Sequence, residues 1–131
     1  GAGHALTNLG NALSGQGRHE EAVGHQREAL ELFRRIGERY GEAGALNGLG
    51  EALHGLGREA EALDAHAAAL EVAGGIEEQE EQARAHVGTA AVLRAEGKPE
   101  PAERHLREAL ELYTRLGSPR AREVRQTLGE Q

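Results

Sequence analysis

Seven histidines, three asparagines and several carboxylate clusters are the residues of this chain with the most chemistry to offer. A metal held on one helical face needs two imidazoles at i and i+4, the spacing His-x-x-x-His. No pair here has it. His19 and His25 are six residues apart and diverge, and His25 and His105 hold equivalent places too far apart to share an ion. The run SGQGRHE at 14–20 is glycine-rich and precedes a helix, but lacks the Gly-Lys-Ser/Thr ending of a phosphate loop. Glu20-Glu21 and Glu77-Glu78 lie in charge-rich helix ends and read as solvated. The acidic cluster at 77–81 also suits the positive end of a helix dipole. No nucleophile, base and orienting group stand in a recognisable set. The sequence thus predicts no catalytic residue, no metal ligand and no cofactor, and the chain is not expected to be an enzyme. What remains are amides and charges, which bind rather than react.

Composition narrows the partners. The chain has 131 residues, enough for one domain that buries roughly two-thirds of its unfolded surface. A net charge of −7 argues against direct contact with nucleic acid, which needs a basic face. No segment reaches the ~18 apolar residues of a membrane span. Without cysteine there is no disulfide frame and no thiolate chemistry, and the redox compartment is unreadable. No methionine occurs, even at position 1, so the chain reads as a piece of a longer protein. Lys98 is the only lysine among 15 basic residues, and with 19 glycines this usage points to a GC-rich bacterial genome.

The elements that must position these residues recur every 40 residues. Gly17, Gly57 and Gly97 are in phase, as are Leu13, Leu53 and Leu93, Ala22, Ala62 and Ala102, and Leu30, Leu70 and Leu110. A fixed period of this size means one small unit stacked on its copies. Leu46, Leu49 and Leu53 form a helical stripe, Gly55-Leu56-Gly57 interrupts it, and Ala62, Leu63, Ala69, Leu70 and Val72 start a second stripe. The unit is helix, short glycine turn, helix. Helices are predicted at 3–14, 18–36, 41–54, 58–73, 80–95, 99–116 and 119–129, with Pro99 and Ser118-Pro119 marking two starts. Units fall at about 1–40, 41–80 and 81–118, followed by a terminal helix. Gly10 and Gly50 inside helices predict close helix approach, with Ala90 in their place in the third unit.

The pattern Leu46, Leu49-Gly50, Leu53, Gly57, Ala62 and Ala69 resembles the tetratricopeptide repeat (TPR). Unit one repeats it as Leu6, Leu9-Gly10, Leu13, Gly17, Ala22 and Ala29, and unit three more loosely as His86, Thr89-Ala90, Leu93, Gly97, Ala102 and Ala109. The usual second-helix aromatic is replaced by Gln26, His66 and Leu106. The 40-residue length is similar to that of arrays in polarity adaptors and bacterial signalling regulators. The ending TLGEQ resembles the opening of a further unit, and the last helix reads as running one residue out of phase. The resemblance implies an all-α, right-handed α-solenoid of three repeats plus a seventh helix.

In that fold the first helix of each unit lines a concave face. The stripe opposite its packing side reads His4, Thr7, Asn11 and Ser14, with Asn8 alongside. In unit two it reads Gly44, Asn47, Glu51 and His54, and in unit three Arg84, Val87, Ala91 and Arg94. Amides both donate and accept, so Asn8, Asn11 and Asn47 suit an extended peptide backbone of any sequence. Arg84 and Arg94 suit an acidic side chain, and Glu51 between them is placed to neutralise either. Gly44, Gly48 and Gly88 are expected to leave room for a ligand backbone or to be tolerated drift, and alanine there to stabilise the helices by roughly 0.5–1 kcal/mol each. The carboxylate clamp of chaperone-adaptor arrays is not matched, since Thr7 and Val87 stand where a lysine is needed and Glu51 repels a carboxylate.

The expected function is a protein- or peptide-binding scaffold within a larger cytoplasmic, bacterial signalling or regulatory protein. Two alternatives stand beside it: a sensory array whose curvature answers a peptide signal, and self-association through exposed array ends.

Overall fold

The computed structural model describes residues 1–129. Among them are seven α-helices: α1 (Ala2–Gly15), α2 (His19–Ile36), α3 (Arg39–Gly55), α4 (Glu59–Gly75), α5 (Gln79–Ala95), α6 (Pro99–Leu116) and α7 (Arg120–Leu128). Each helix packs on the next in sequence, and α3 also packs on α1 and on α5. First helices in mutual contact form the inner, concave layer of an all-α solenoid.

Two turns repeat in phase. After α1, α3 and α5, the amides of Arg18, Arg58 and Lys98 donate to the carbonyls of Leu13, Leu53 and Leu93 at 2.8, 2.9 and 2.8 Å. Each turn passes through Gly17, Gly57 or Gly97 at φ 79°, 76° and 76°, the left-handed region that glycine enters without steric cost. After α2, α4 and α6, Glu38, Glu78 and Ser118 donate to Phe33, Ala73 and Tyr113. Gly37 and Gly117 supply the left-handed residue there, but the middle copy uses Glu77 at φ 55°. The third of these turns keeps the 40-residue spacing, although α7, starting at Arg120, begins 41 residues after α5. The TLGE resemblance is therefore displaced by one residue. Gly129, at φ 79°, caps α7 instead of continuing it; Glu130 and Gln131 lie outside the described residues.

Packing between layers follows one rule, in which a second-helix side chain lies between two first helices. Phe33 lies between Gly3 and Gly41, and a Cβ on Gly3 would stand 2.7 Å from the ring. Tyr113 has Ala83 and Ala121 at the matching places, all buried in one cluster. Near the middle of the second helix, seven residues before the Phe33 position, the rule recurs. Gln26 lies between Gly10 and Gly48, and His66 between Gly50 and Gly88. Leu106 has Ala90 and Leu128 at these places in its cluster. Gln26 and His66 are both 0% exposed. The close approach expected at Gly10 and Gly50 is thus real, and what approaches is a buried polar side chain. A carboxylate also stitches α2 to α3: Glu42 takes Arg34 at 3.2 Å and Arg39 at 3.0 Å. Burial raises the Glu42 pKa, but the two arginines outweigh it and hold the carboxyl below its usual range.

Candidate functional site

The concave face is closed at its centre by one polar network. Gln26 Nε2 donates to Asn11 Oδ1 at 2.9 Å and to the Thr7 carbonyl at 3.3 Å. Asn11 Oδ1 also accepts from Arg84 Nη2 at 3.2 Å. Arg84 grips Glu51 through Nε and Nη2 at 2.8 and 2.7 Å, and reaches Glu81 at 3.4 Å. Glu81 accepts from Asn47 Nδ2 at 2.9 Å through its side chain and again through its backbone carbonyl. Since the Asn47 amide nitrogen is committed to Glu81, its Oδ1 accepts from His66 Nδ1, 2.9 Å away. His66 therefore carries its proton on Nδ1. Burial holds this imidazole neutral, with a pKa lowered to about 4. For Arg84 burial alone would lower the pKa, but the bonds to Glu51 and Glu81 reverse it and the net shift is upward.

This network corrects several expectations. Asn47 is 0% exposed and fully bonded, so its amide is not offered to a peptide. Gly44 and Gly48 are buried as well. A Cβ on Gly48 would collide with the Gln26 amide, one on Gly88 with the His66 ring, and one on Gly44 would meet the Glu81 carboxylate at 3.7 Å. The space beside Gly48 and Gly88 belongs to second-helix side chains, leaving no room there for a ligand and no stabilising alanine. Arg84 is already paired, by the Glu51 that the sequence placed near it.

Arg84 divides what is left of the groove. On one side, His4, Thr7, Asn8, Asn11 and Gly44 meet Tyr40 around a 200 Å³ cleft that Arg84 and Glu81 close. His4 also stacks edge-on against Phe33, ring centroids 4.8 Å apart. On the other side, a 350 Å³ cleft lies among Glu51, Glu80, Glu81, Arg84, Val87, Tyr113 and Arg120. It adjoins a 270 Å³ cleft lined by Val87, Ala91, Arg94, Leu106, Tyr113, Arg120, Glu123, Val124 and Thr127. Ser14 and His54 line none of these clefts, and His54 is held by Glu59 at 2.8 Å. Sequence reasoning missed Tyr40, Glu81, Tyr113 and the α7 residues Arg120 and Val124. The signal for α7 was available, because Val124 stands 40 residues after Arg84. No group of three or more His, Cys, Asp or Glu placed to hold a metal ion occurs among the described residues.

A tetratricopeptide repeat family profile matches residues 2–74 and again 42–115. The chain belongs to the TPR family. TPR arrays in general are interaction scaffolds for proteins and peptides, and no helix here is long and apolar enough to cross a membrane among the described residues. Solved structures agree on the fold. The TPR domain of Arabidopsis FLU superposes with a TM-score of 0.76 at 22% identity, over 88% of this chain and 95% of that one. The apo form of RapI gives 0.83 at 14% identity, over 94% of this TPR chain and 45% of RapI. BtubC from P. vanneervenii gives 0.80 at 24% identity, over 95% and 52%. The chain thus spans about half the length of the last two, and identities this low show the fold alone. No curated protein matches the TPR chain in sequence.

Proposed function

We propose that this TPR array holds an extended peptide along the α5–α7 half of its concave face, as part of a larger cytoplasmic, bacterial signalling or regulatory protein. The observation that carries the binding reading is the continuity of two clefts, 350 and 270 Å³, which share Val87, Tyr113 and Arg120. The second of them is apolar at its base, through Val87, Ala91, Leu106 and Val124, with Arg94 at its rim. An apolar side chain next to a carboxylate fits that arrangement, since the pocket supplies buried area and the guanidinium a bidentate partner. The wider cellular setting rests on residue usage alone. Selection of a random peptide display library against the folded array tests the reading. Recovered peptides should carry an apolar residue beside Asp or Glu and lose affinity at least tenfold against a Val87→Glu array. Failure to enrich any peptide would contradict it.

The Arg84–Asn11 tie favours a sensory variant of the same reading. A ligand carboxylate competing for Arg84 would release α1 from α5 and relax the curvature. A ligand-dependent, saturable change in scattering radius is its signature.

A further inference from the structure

His86 on α5 and His105 on α6 face each other, Nδ1 to Nδ1, at 2.9 Å. Their ring centroids are 5.2 Å apart and their planes are tilted by 37°. Both are half-buried. The residues at these positions in the other two hairpins are Leu46 with Ala65 and Leu6 with His25. Leu46 and Ala65 are 3% and 6% exposed. Packing is thus satisfied at this point in the second hairpin by two apolar side chains, and a pair of imidazoles is not something the fold requires.

We propose that His86 and His105 bind a divalent copper or nickel ion through their two Nδ1 atoms. Imidazole–metal bonds of about 2.0–2.1 Å place two nitrogens at right angles on one ion about 2.9 Å apart, which is the separation found. Right-angled neighbours belong to the tetragonal geometry of Cu(II) and Ni(II), whereas a tetrahedral ion asks for about 3.3 Å. Cu(II) heads the affinity order for such nitrogen sites. As the structure stands, one Nδ1–H donates to the bare Nδ1 of the other ring. On binding, the donating ring shifts its proton to Nε2, so both Nδ1 lone pairs face the ion and no net proton is lost from the neutral pair. Burial lowers both pKa values, with the partner imidazole adding to this at His86 and Arg104 at His105. Glu108, one turn beyond His105, lends negative charge to both rings. Water takes the remaining positions.

Titration of Cu²⁺ into the full chain at pH 7, in a non-coordinating buffer, is read by electron paramagnetic resonance and by thermal unfolding. The first equivalent should give an axial spectrum with couplings from two imidazole nitrogens and should raise Tm, with Ni²⁺ acting more weakly. His86→Leu, which installs the residue of the other two hairpins, and His105→Ala should both lose this response while keeping the helical circular dichroism. His4→Ala and His25→Ala should retain it. The proposal is overturned if either pair variant takes up the first equivalent with an unchanged spectrum, or if the wild type shows only weak uptake at several sites. Should His86→Leu fail to fold, His105→Ala decides the matter alone.

Discussion

Arg84 on α5 donates to Asn11 on α1 at 3.2 Å, across the face of α3 and 73 residues away in sequence. The same guanidinium holds Glu51 on α3, so one side chain ties three first helices together. Removing it leaves the Glu51 and Glu81 carboxylates facing each other without their cation. Arg84→Ala should lower stability by about 2 kcal/mol, less than the loss of a fully buried pair because Glu51 is partly solvated. Urea denaturation measures this. A loss near zero would mean the network is only decoration of the groove.

The glycines within the helices separate into two kinds. Gly50 and Gly88 enclose the His66 ring, and a Cβ on Gly50 would stand 2.6 Å from Nε2. Gly24 on α2 has open space. Gly88→Ala should therefore cost about 1–3 kcal/mol through overpacking, and Gly24→Ala should add about 0.5–1 kcal/mol through helix propensity. The cost of Gly88→Ala should shrink in a His66→Ala background, and a double-mutant cycle detects that coupling. Equal effects at Gly24 and Gly88 would contradict the packing rule.

Glu77 occupies the left-handed place that Gly37 and Gly117 hold in the sister turns, at φ 55° against 69° and 66°. The turn hydrogen bond from Glu78 to Ala73 forms regardless, at 2.8 Å. Glu77→Gly should stabilise the array by about 1 kcal/mol, because the side chain's clash with the backbone is relieved. An increase in Tm of several degrees is expected for a chain of this length.

How much of this was legible beforehand follows from which forces act locally. All seven helices lie within two residues of their predicted ends, since amphipathic spacing and paired glycines are properties of the chain itself. Asn47 and Gly48 were misplaced because exposure on the inner stripe depends on which neighbours reach over it. Arg84 and Glu81 come from α5, and the side chain that fills the space beside Gly48 comes from α2. Gln26 and His66 were noticed only as missing aromatics; that each is the polar filling between two glycines emerges once three helices are in place. The third turn's phase was obscured by the chance likeness of TLGE to GLGE.

His66 makes stability depend on acidity. Its pKa is about 4 in the fold against an ordinary 6.5 when unfolded. Between these values the unfolded chain binds more protons, so stability rises with pH from 4 to 6.5 and is lost on acidification through that window. The full span amounts to about 3 kcal/mol. His86 and His105, also lowered, act in the same direction. His66→Gln, which copies Gln26, should flatten the stability profile between pH 6.5 and 5 without removing it. A steeper profile in that variant would refute the assignment.

The account stands most directly on where a ligand sits. Peptides recovered from a display library, added to ¹⁵N-labelled array, should shift the amide resonances of Val87, Ala91, Arg94 and Val124 while leaving Asn47 and Gly48 nearly unmoved. Shifts centred on α3 at Asn47, or on the outer faces of α2 and α4, would contradict a groove closed at its centre by Arg84 and open between α5 and α7.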